Sequence, residues 1–299
     1  LEEHRAGLQE ALAAGQKPLE RGRAAVELVT ETGTALETHG AFNAGYGAML
    51  NQDGRAELDA GVMNGDTLDY GAVMATHRLA HPVRVARRVL TAGEGRVRML
   101  AGDGAERFAE AQGIDLVTNE ALICPREQAR YERIQAQAEV DHPSRSFLPG
   151  VSDLGGADTV GAVARDASGR LAAATSTGGT PFKPPGRVGD SPLPGAGFYA
   201  DARVAVSTTG WGEAIAAVGL ARDVRERVRN GASAETAARR SLRHMHVAVT
   251  SPEGEGATGG CIVVTPDEAA VAFTTPRMAR GWTDGERAPW AVERGKLGD

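Results

Sequence analysis

Apolar residues recur along the first half of this chain with a helical period, and along much of the second half they alternate or run in short blocks. Residues 1–14 read as an amphipathic helix ended by Gly15. Residues 18–37 repeat the pattern, with Pro18 near the start and Val26, Val29 and Leu36 on one face. Gly33 inside that second helix costs about 1 kcal/mol relative to alanine. The glycine-rich stretch THGAFNAGYGAMLN, 38–51, breaks the period and reads as a loop. A strand is predicted at 56–63, with Asn64, Gly65 and Asp66 turning the chain. Helices follow at 69–80 and 83–92, separated at Pro82, and then at 103–112 and 118–138.

Proline, serine and glycine without periodicity mark 141–157 as a linker, and it runs straight into Asp158 and Thr159. Small and β-branched residues then predict strands at 159–164 and 170–177, joined by the turn residues Asp166, Ala167, Ser168 and Gly169. Antiparallel pairing of this hairpin brings Thr159 to the same end as Thr175, Ser176 and Thr177. Two glycines follow, and an isolated Arg187 and Asp190 lie in a Gly/Pro-rich loop that would place both charges near the hydroxyls. A strand at 204–208, helices at 212–229 and 233–248, and strands at 260–265 and 269–274 complete the chain. Strands set between helical blocks suggest two sheets packed face to face under helix layers.

Composition narrows the function classes. The chain has 299 residues, enough for one large domain or two, and 39 of them are glycine. Aromatics make up only 4 %, so the core rests on Ala, Val, Leu and Ile. A net charge of −6 without a long basic run gives nucleic acid no footing, and no apolar stretch is long enough to span a membrane. The first residues are charged and helical, unlike a secretory signal, so a cytoplasmic protein is expected. Lysine occurs three times against thirty arginines, a bias read as codon usage before function. Cys124 and Cys261 make no disulfide framework or zinc pattern. His77 and His81 have ligand spacing, but Arg78 stands where a metalloprotease carries glutamate and no third ligand is evident, which favours ordinary histidines. None of the G-x-G triplets completes a nucleotide-binding pattern.

An ordered set of motifs carries more weight than any single one. DTVGAVA at 158–164, TSTGG at 175–179, GRVGDSP at 186–192, GAGFYAD at 195–201 and STTGWGE at 207–213 follow FNAGYGAMLN at 42–51 and ELDAGVMNGD at 57–66. Over almost its whole length the sequence resembles the plant-type asparaginases, or isoaspartyl peptidases, of the N-terminal-nucleophile hydrolases. The resemblance implies an α+β fold, a four-layer αββα sandwich in one domain. It also implies cleavage between Asp158 and Thr159 into an α-subunit, 1–158, and a β-subunit, 159–299, which pair as a homodimer of processed αβ units. A strand ending in HGGAG is implied ahead of the first helix, and residues 1–14 carry none. The loop at 38–51 would hold a structural sodium ion on the backbone carbonyls of Leu36, Glu37, Phe42, Ala44 and Tyr46, a hard-cation cage with almost no side-chain signature. No cofactor is expected in the chemistry.

A threonine hydroxyl is a poor nucleophile until a base takes its proton. Freed by cleavage, Thr159 supplies its own base, because an α-amine with a reference pKa of about 8 is partly unprotonated near neutrality. By the resemblance, Thr177 orients the Thr159 hydroxyl, Asn43 points its amide toward it, and the Thr209 hydroxyl and Gly210 amide form the oxyanion hole. Arg187 would bind the substrate α-carboxylate in a bidentate way, and Asp190, helped by the Gly212 carbonyl, the α-ammonium. The expected reaction is hydrolysis of the β-amide of L-asparagine or of β-aspartyl peptides through an acyl-enzyme. Two alternatives stand beside it. Asp158 ahead of Thr159 leans toward a glycosylasparaginase, separable by its glycosylated substrate. An unprocessed scaffold would stay a single chain on a denaturing gel.

Overall fold

The computed structural model describes residues 2–140, 159–252, 254–284 and 290–291. The linker at 141–157 and Asp158 lie outside the described residues. Two helices open the fold, α1 (Glu2–Glu20) and α2 (Ala25–His39). The boundary expected at Gly15 is therefore wrong: α1 continues through Gly15 and Pro18, and α2 starts seven residues later than the pattern suggested. Gly15 lies where the two helices touch, since a Cβ there would meet Thr32 Oγ1 at 2.2 Å. The glycine permits close packing of α1 on α2 instead of ending a helix.

Strand β1 (Leu58–Asn64) follows the expected loop, and β2 (Tyr70–Thr76) comes next. Here the helix expected at 69–80 is corrected to a strand. Five of its seven residues pair antiparallel with β1, among them Val73 opposite Ala60 and Tyr70 opposite Met63. On the other side they pair in parallel with β3 (Met99–Ala101). β1 stands only five residues back across a turn, but β3 lies 22 residues on, and a short apolar run is ambiguous on its own. Between them α3 (Pro82–Ala92) forms as expected, with proline in its first turn where a missing N–H costs nothing. Helix α4 (Gly102–Ala111) also agrees, while the helix expected at 118–138 is a 3₁₀ turn at Asn119–Leu122 followed by α5 (Pro125–Val140).

The hairpin forms as expected, from β4 (Val160–Arg165) and β5 (Leu171–Thr177). Its turn is organised by the buried Asp166, whose Oδ1 accepts from the Ser168 and Arg170 amides and whose Oδ2 accepts from Ala25 N at the start of α2. The chain then adds β6 (Phe198–Ala200), β7 (Ala205–Gly210), α6 (Gly212–Val218), α7 (Leu220–Arg229), α8 (Ala234–Ala248), β8 (Gly259–Val264) and β9 (Ala269–Phe273). The single helix expected at 212–229 is thus split at Gly219.

Five strands form one sheet in the order β3-β2-β1-β5-β4, and four form a second in the order β6-β7-β8-β9. The sheets touch through β1, β4 and β5 on one side and β6, β7 and β8 on the other. Thr175 Oγ1 and Ser207 Oγ lie 2.7 Å apart across that seam, and Ala200 N donates to Met63 Sδ. Helices α2 and α3 lie on the first sheet, burying Val29, Val62, Val73, Val83 and Val89; α7 and α8 lie against the second, burying Phe198, Val206, Leu220, Val224, Leu242 and Met245. Each such aliphatic or aromatic side chain contributes about 1.5–3 kcal/mol on burial. Among the described residues no helix is long and apolar enough to cross a membrane.

Candidate active site

The hairpin register places the first hydroxyl pair. Val160 faces Ser176, so Thr159, one residue earlier, faces Thr177. Thr159 Oγ1 donates to Thr177 Oγ1 at 3.2 Å. Thr177 is buried, and its hydroxyl also accepts from Gly179 N at 3.0 Å and from Asn43 Nδ2 at 3.5 Å. The Asn43 amide is therefore directed at Thr177 and, more tightly, at the Gly179 carbonyl, 2.6 Å away. Its Oδ1 accepts from Met49 N and its carbonyl from Gly178 N. Gly178 is required here, because a Cβ would fall 2.6 Å from Asn43 Oδ1. The loop through Asn43 is mostly buried and is stitched to the residues that follow β5.

The charged residues converge separately. A Cβ built at Gly212 would sit 2.8 Å from Arg187 Nη2 and 3.0 Å from Asp190 Oδ1, so the three expected substrate-binding residues share one corner. Arg187 is not a bare fork. Its Nε and Nη2 donate to the two carboxylate oxygens of Glu213 at 2.8 and 2.7 Å. Burial would raise the Glu213 carboxyl, but the Arg187 guanidinium outweighs it and holds Glu213 below the ordinary range. The Nη1/Nη2 end of the guanidinium keeps its N–H groups for a second carboxylate. Asp190 is pushed up to about 7, foremost by burial, against the opposing hydrogen bonds and the Arg187 charge. Thr208 Oγ1 donates to its Oδ2 at 3.2 Å.

Thr209 and Gly210 end β7, opposite Gly260 and Gly259 of β8. Thr208 turns toward Asp190, so by strand alternation Thr209 shares with Ser207 the face that meets β5 across the seam. Sequence reasoning missed Glu213 and Thr208. Glu213 stands inside STTGWGE, but nothing local says that its carboxylate pairs with an arginine 26 residues earlier.

Of the carbonyls expected to hold a cation, those of Phe42, Ala44 and Tyr46 lie in the same loop as Asn43. Leu36 and Glu37 belong to the last turn of α2, where carbonyls lack a following helical amide. A Cβ on Gly45 would lie 2.4 Å from the Glu37 oxygen, and one on Gly47 2.1 Å from that of Phe42. The Phe42 and Ala44 oxygens each accept one amide, from Ala44 and Gly47, and keep a second lone pair. The Tyr46 oxygen lies 4.0 Å from the Cβ position of Gly40. Arg126 donates to the neighbouring Ala41 and Gly47 carbonyls. Backbone carbonyls are the donor type that suits a hard cation. His77 and His81 are in no helix: His77 Nδ1 lies 3.0 Å from the Ala56 oxygen, and His81 Nδ1 lies 3.7 Å from Glu37 Oε2. Among the described residues no group of three or more His, Cys, Asp or Glu could hold a metal ion.

Comparison with known proteins gives the class. The family described as Asparaginase matches residues 1–293. An isoaspartyl peptidase/L-asparaginase of Bos taurus is 40% identical over 296 residues, 98% of this chain and 88% of that protein. The isoaspartyl peptidase of Salmonella typhimurium is 42% identical over 283 residues, covering 92% and 86%. That of Escherichia coli (strain K12) is 42% identical over 276 residues, covering 90% and 81%. The protein is a hydrolase. More narrowly, it belongs to the asparaginase family.

Proposed function

We propose that this hydrolase cleaves the β-amide of L-asparagine and the β-aspartyl bond of isoaspartyl peptides, through an acyl-enzyme on Thr159. The observation that carries the reading is the Thr159–Thr177 hydroxyl pair, 3.2 Å apart at the open end of a strand hairpin. Maturation comes first: the Thr159 hydroxyl attacks the Asp158 carbonyl, and water hydrolyses the resulting ester to free the Thr159 α-amine. That amine then takes the proton from Oγ1 as Oγ1 attacks the substrate β-carbonyl, while Thr177 holds the hydroxyl in line. The Thr209 hydroxyl and the Gly210 amide receive the oxyanion. The ammonium of Thr159 returns the proton to the departing ammonia or peptide amine, and water releases aspartate from the ester.

Recognition rests on charge. The free end of the Arg187 guanidinium takes the α-carboxylate, and Asp190 with the Gly212 carbonyl takes the α-ammonium. The names of the relatives, isoaspartyl peptidase and L-asparaginase, favour these substrates over glycosylated asparagine. The two facing sheets with helices against each support a four-layer αββα sandwich, and we assign the working unit as a cytoplasmic homodimer of αβ units. A sodium ion on the carbonyls of Leu36, Glu37, Phe42, Ala44 and Tyr46 would stiffen the Asn43 loop without entering the chemistry.

The test is the fate of the chain. Wild type should resolve into two fragments on a denaturing gel, with mass spectrometry placing the new terminus at Thr159. Thr159→Ala should remain one band near 31 kDa and be inactive. A Thr159→Ala chain cut at the same bond would assign the cleavage to an outside protease and end the mechanism.

A further inference from the structure

Lys183 heads the largest fully buried side chains, with 1% of its surface exposed. It is one of only three lysines beside thirty arginines. A compact ammonium fits this close space, where the wider guanidinium fork would need more room. Its Nζ donates to the Glu57 carbonyl at 3.0 Å and lies 3.0 Å from the Cβ position of Gly179, two residues past Thr177. The Glu57 carboxylate reaches the other way, accepting from Gly186 N at 2.8 Å, next to Arg187. Its second oxygen accepts from Asn51 Nδ2.

Asp59 completes the group. It faces Thr177 in the β1–β5 ladder and is fully buried. One oxygen accepts from Ala75 N; the other is buried without a hydrogen bond. Lys183 Nζ and Asp59 thus lie at the same strand end, the ammonium against the Glu57 carbonyl and Gly179, the carboxylate on the residue opposite Thr177. Burial pushes the Asp59 carboxyl up and the Lys183 ammonium down, and their mutual attraction resists both shifts. A buried group of opposite charges with an unsatisfied oxygen is a weak source of stability alone. What it does span is both halves of the site: the strand end that holds Thr177, and the arm 179–190 that carries Arg187 and Asp190.

We infer that Lys183, with Asp59 as its buried counter-charge, is a positioning residue that fixes the Arg187–Asp190 arm at a set distance from the Thr159–Thr177 hydroxyls. The inference rests on the function proposed above. The α-groups and the β-carbonyl of an aspartyl substrate are separated by fixed covalent lengths, so both ends bind together only when the arm is correctly placed.

The experiment compares wild type, Lys183→Met, Asp59→Asn and the double variant. Each single change strands a buried charge and should destabilise the chain, whereas removing both should leave stability near wild type. In the double variant, Tm should return to near that of wild type and maturation should proceed. Yet KM for an isoaspartyl dipeptide and Ki for L-aspartate should each rise at least ~10-fold, with kcat falling less than ~3-fold. Wild-type KM and Ki in the double variant would reduce the pair to mutual neutralisation and overturn the assignment. A double variant that neither folds nor matures overturns it too, by making the pair a folding element. Failure of the underlying function is a separate result: wild type itself would not hydrolyse the dipeptide.

Discussion

Around Thr159 the site is held by strand register and neutral hydroxyls; around Arg187 it is held by charges on a loop. In the first region, once Val160 faces Ser176, Thr159, Thr177 and Gly179 fall into one hydrogen-bonded chain, which Asn43 joins from the loop after α2. The second depends on partners far apart in sequence: Glu213 on Arg187, Thr208 on Asp190, and the Glu57 carboxylate on the amide of Gly186. Backbone pairing sets the proposed nucleophile to within the tolerance of a ladder. Electrostatics sets the proposed grip, which must therefore respond to pH and to lost charge in a way that the nucleophile does not.

Removing the Thr177 hydroxyl should break the first region most severely. Thr177→Val keeps the shape and strand preference, and kcat should drop about 100-fold with KM nearly unchanged, as steady-state kinetics on an isoaspartyl dipeptide would read. Arg187→Lys should do the reverse. It keeps a charge but loses the planar fork that engages Glu213 and substrate together, so kcat/KM should fall ~30-fold, mostly through KM. Should both variants alter the same kinetic constant, the division between the two regions would be wrong.

A third effect, graded with pH, concerns proton coupling. With Asp190 raised to about 7 in the empty site, the carboxyl is mostly protonated below that pH and cannot accept an ammonium as an ion. Ligand ammonium favours the ionised form, so binding releases a proton. Affinity for L-aspartate should weaken about 10-fold per pH unit below 7 and level off above it. Ki measured across pH 5 to 9 checks this, and Asp190→Asn should flatten the slope while weakening binding throughout.

How much of this could be read in advance follows the same division. The hairpin was legible because turn chemistry at Asp166 and small β-branched strands are local signals, and the pairing of Thr159 with Thr177 follows from them. Strands β8 and β9 and helices α3, α4 and α8 were legible for the same reason. Strand β2 was not, since YGAVMAT is helix or strand by composition and only β1 and β3 decide between them. Motif resemblance implies that Arg187, Asp190 and Gly212 share one corner, and they do. It did not supply Glu213 or Thr208, whose roles exist only in three dimensions. Lys183 left a faint trace in the rarity of lysine, which reads as codon bias until its burial is seen.

Strand β4 lies at the edge of its sheet, and β5, one strand inward, is laddered to β1 through six residue pairs from Asp59↔Thr177 to Asn64↔Ala172. Once Thr159 is freed as proposed, β4 loses its covalent lead-in but none of its ladder, because its pairing is all on the β5 side. The central ladder then joins two separate polypeptides. Folding before the cut is a one-molecule event, and reassembly after it needs two molecules to meet. Maturation would thus act as a thermodynamic ratchet: the sheet is built while the halves are tethered, and afterwards it persists by the difficulty of unzipping its middle.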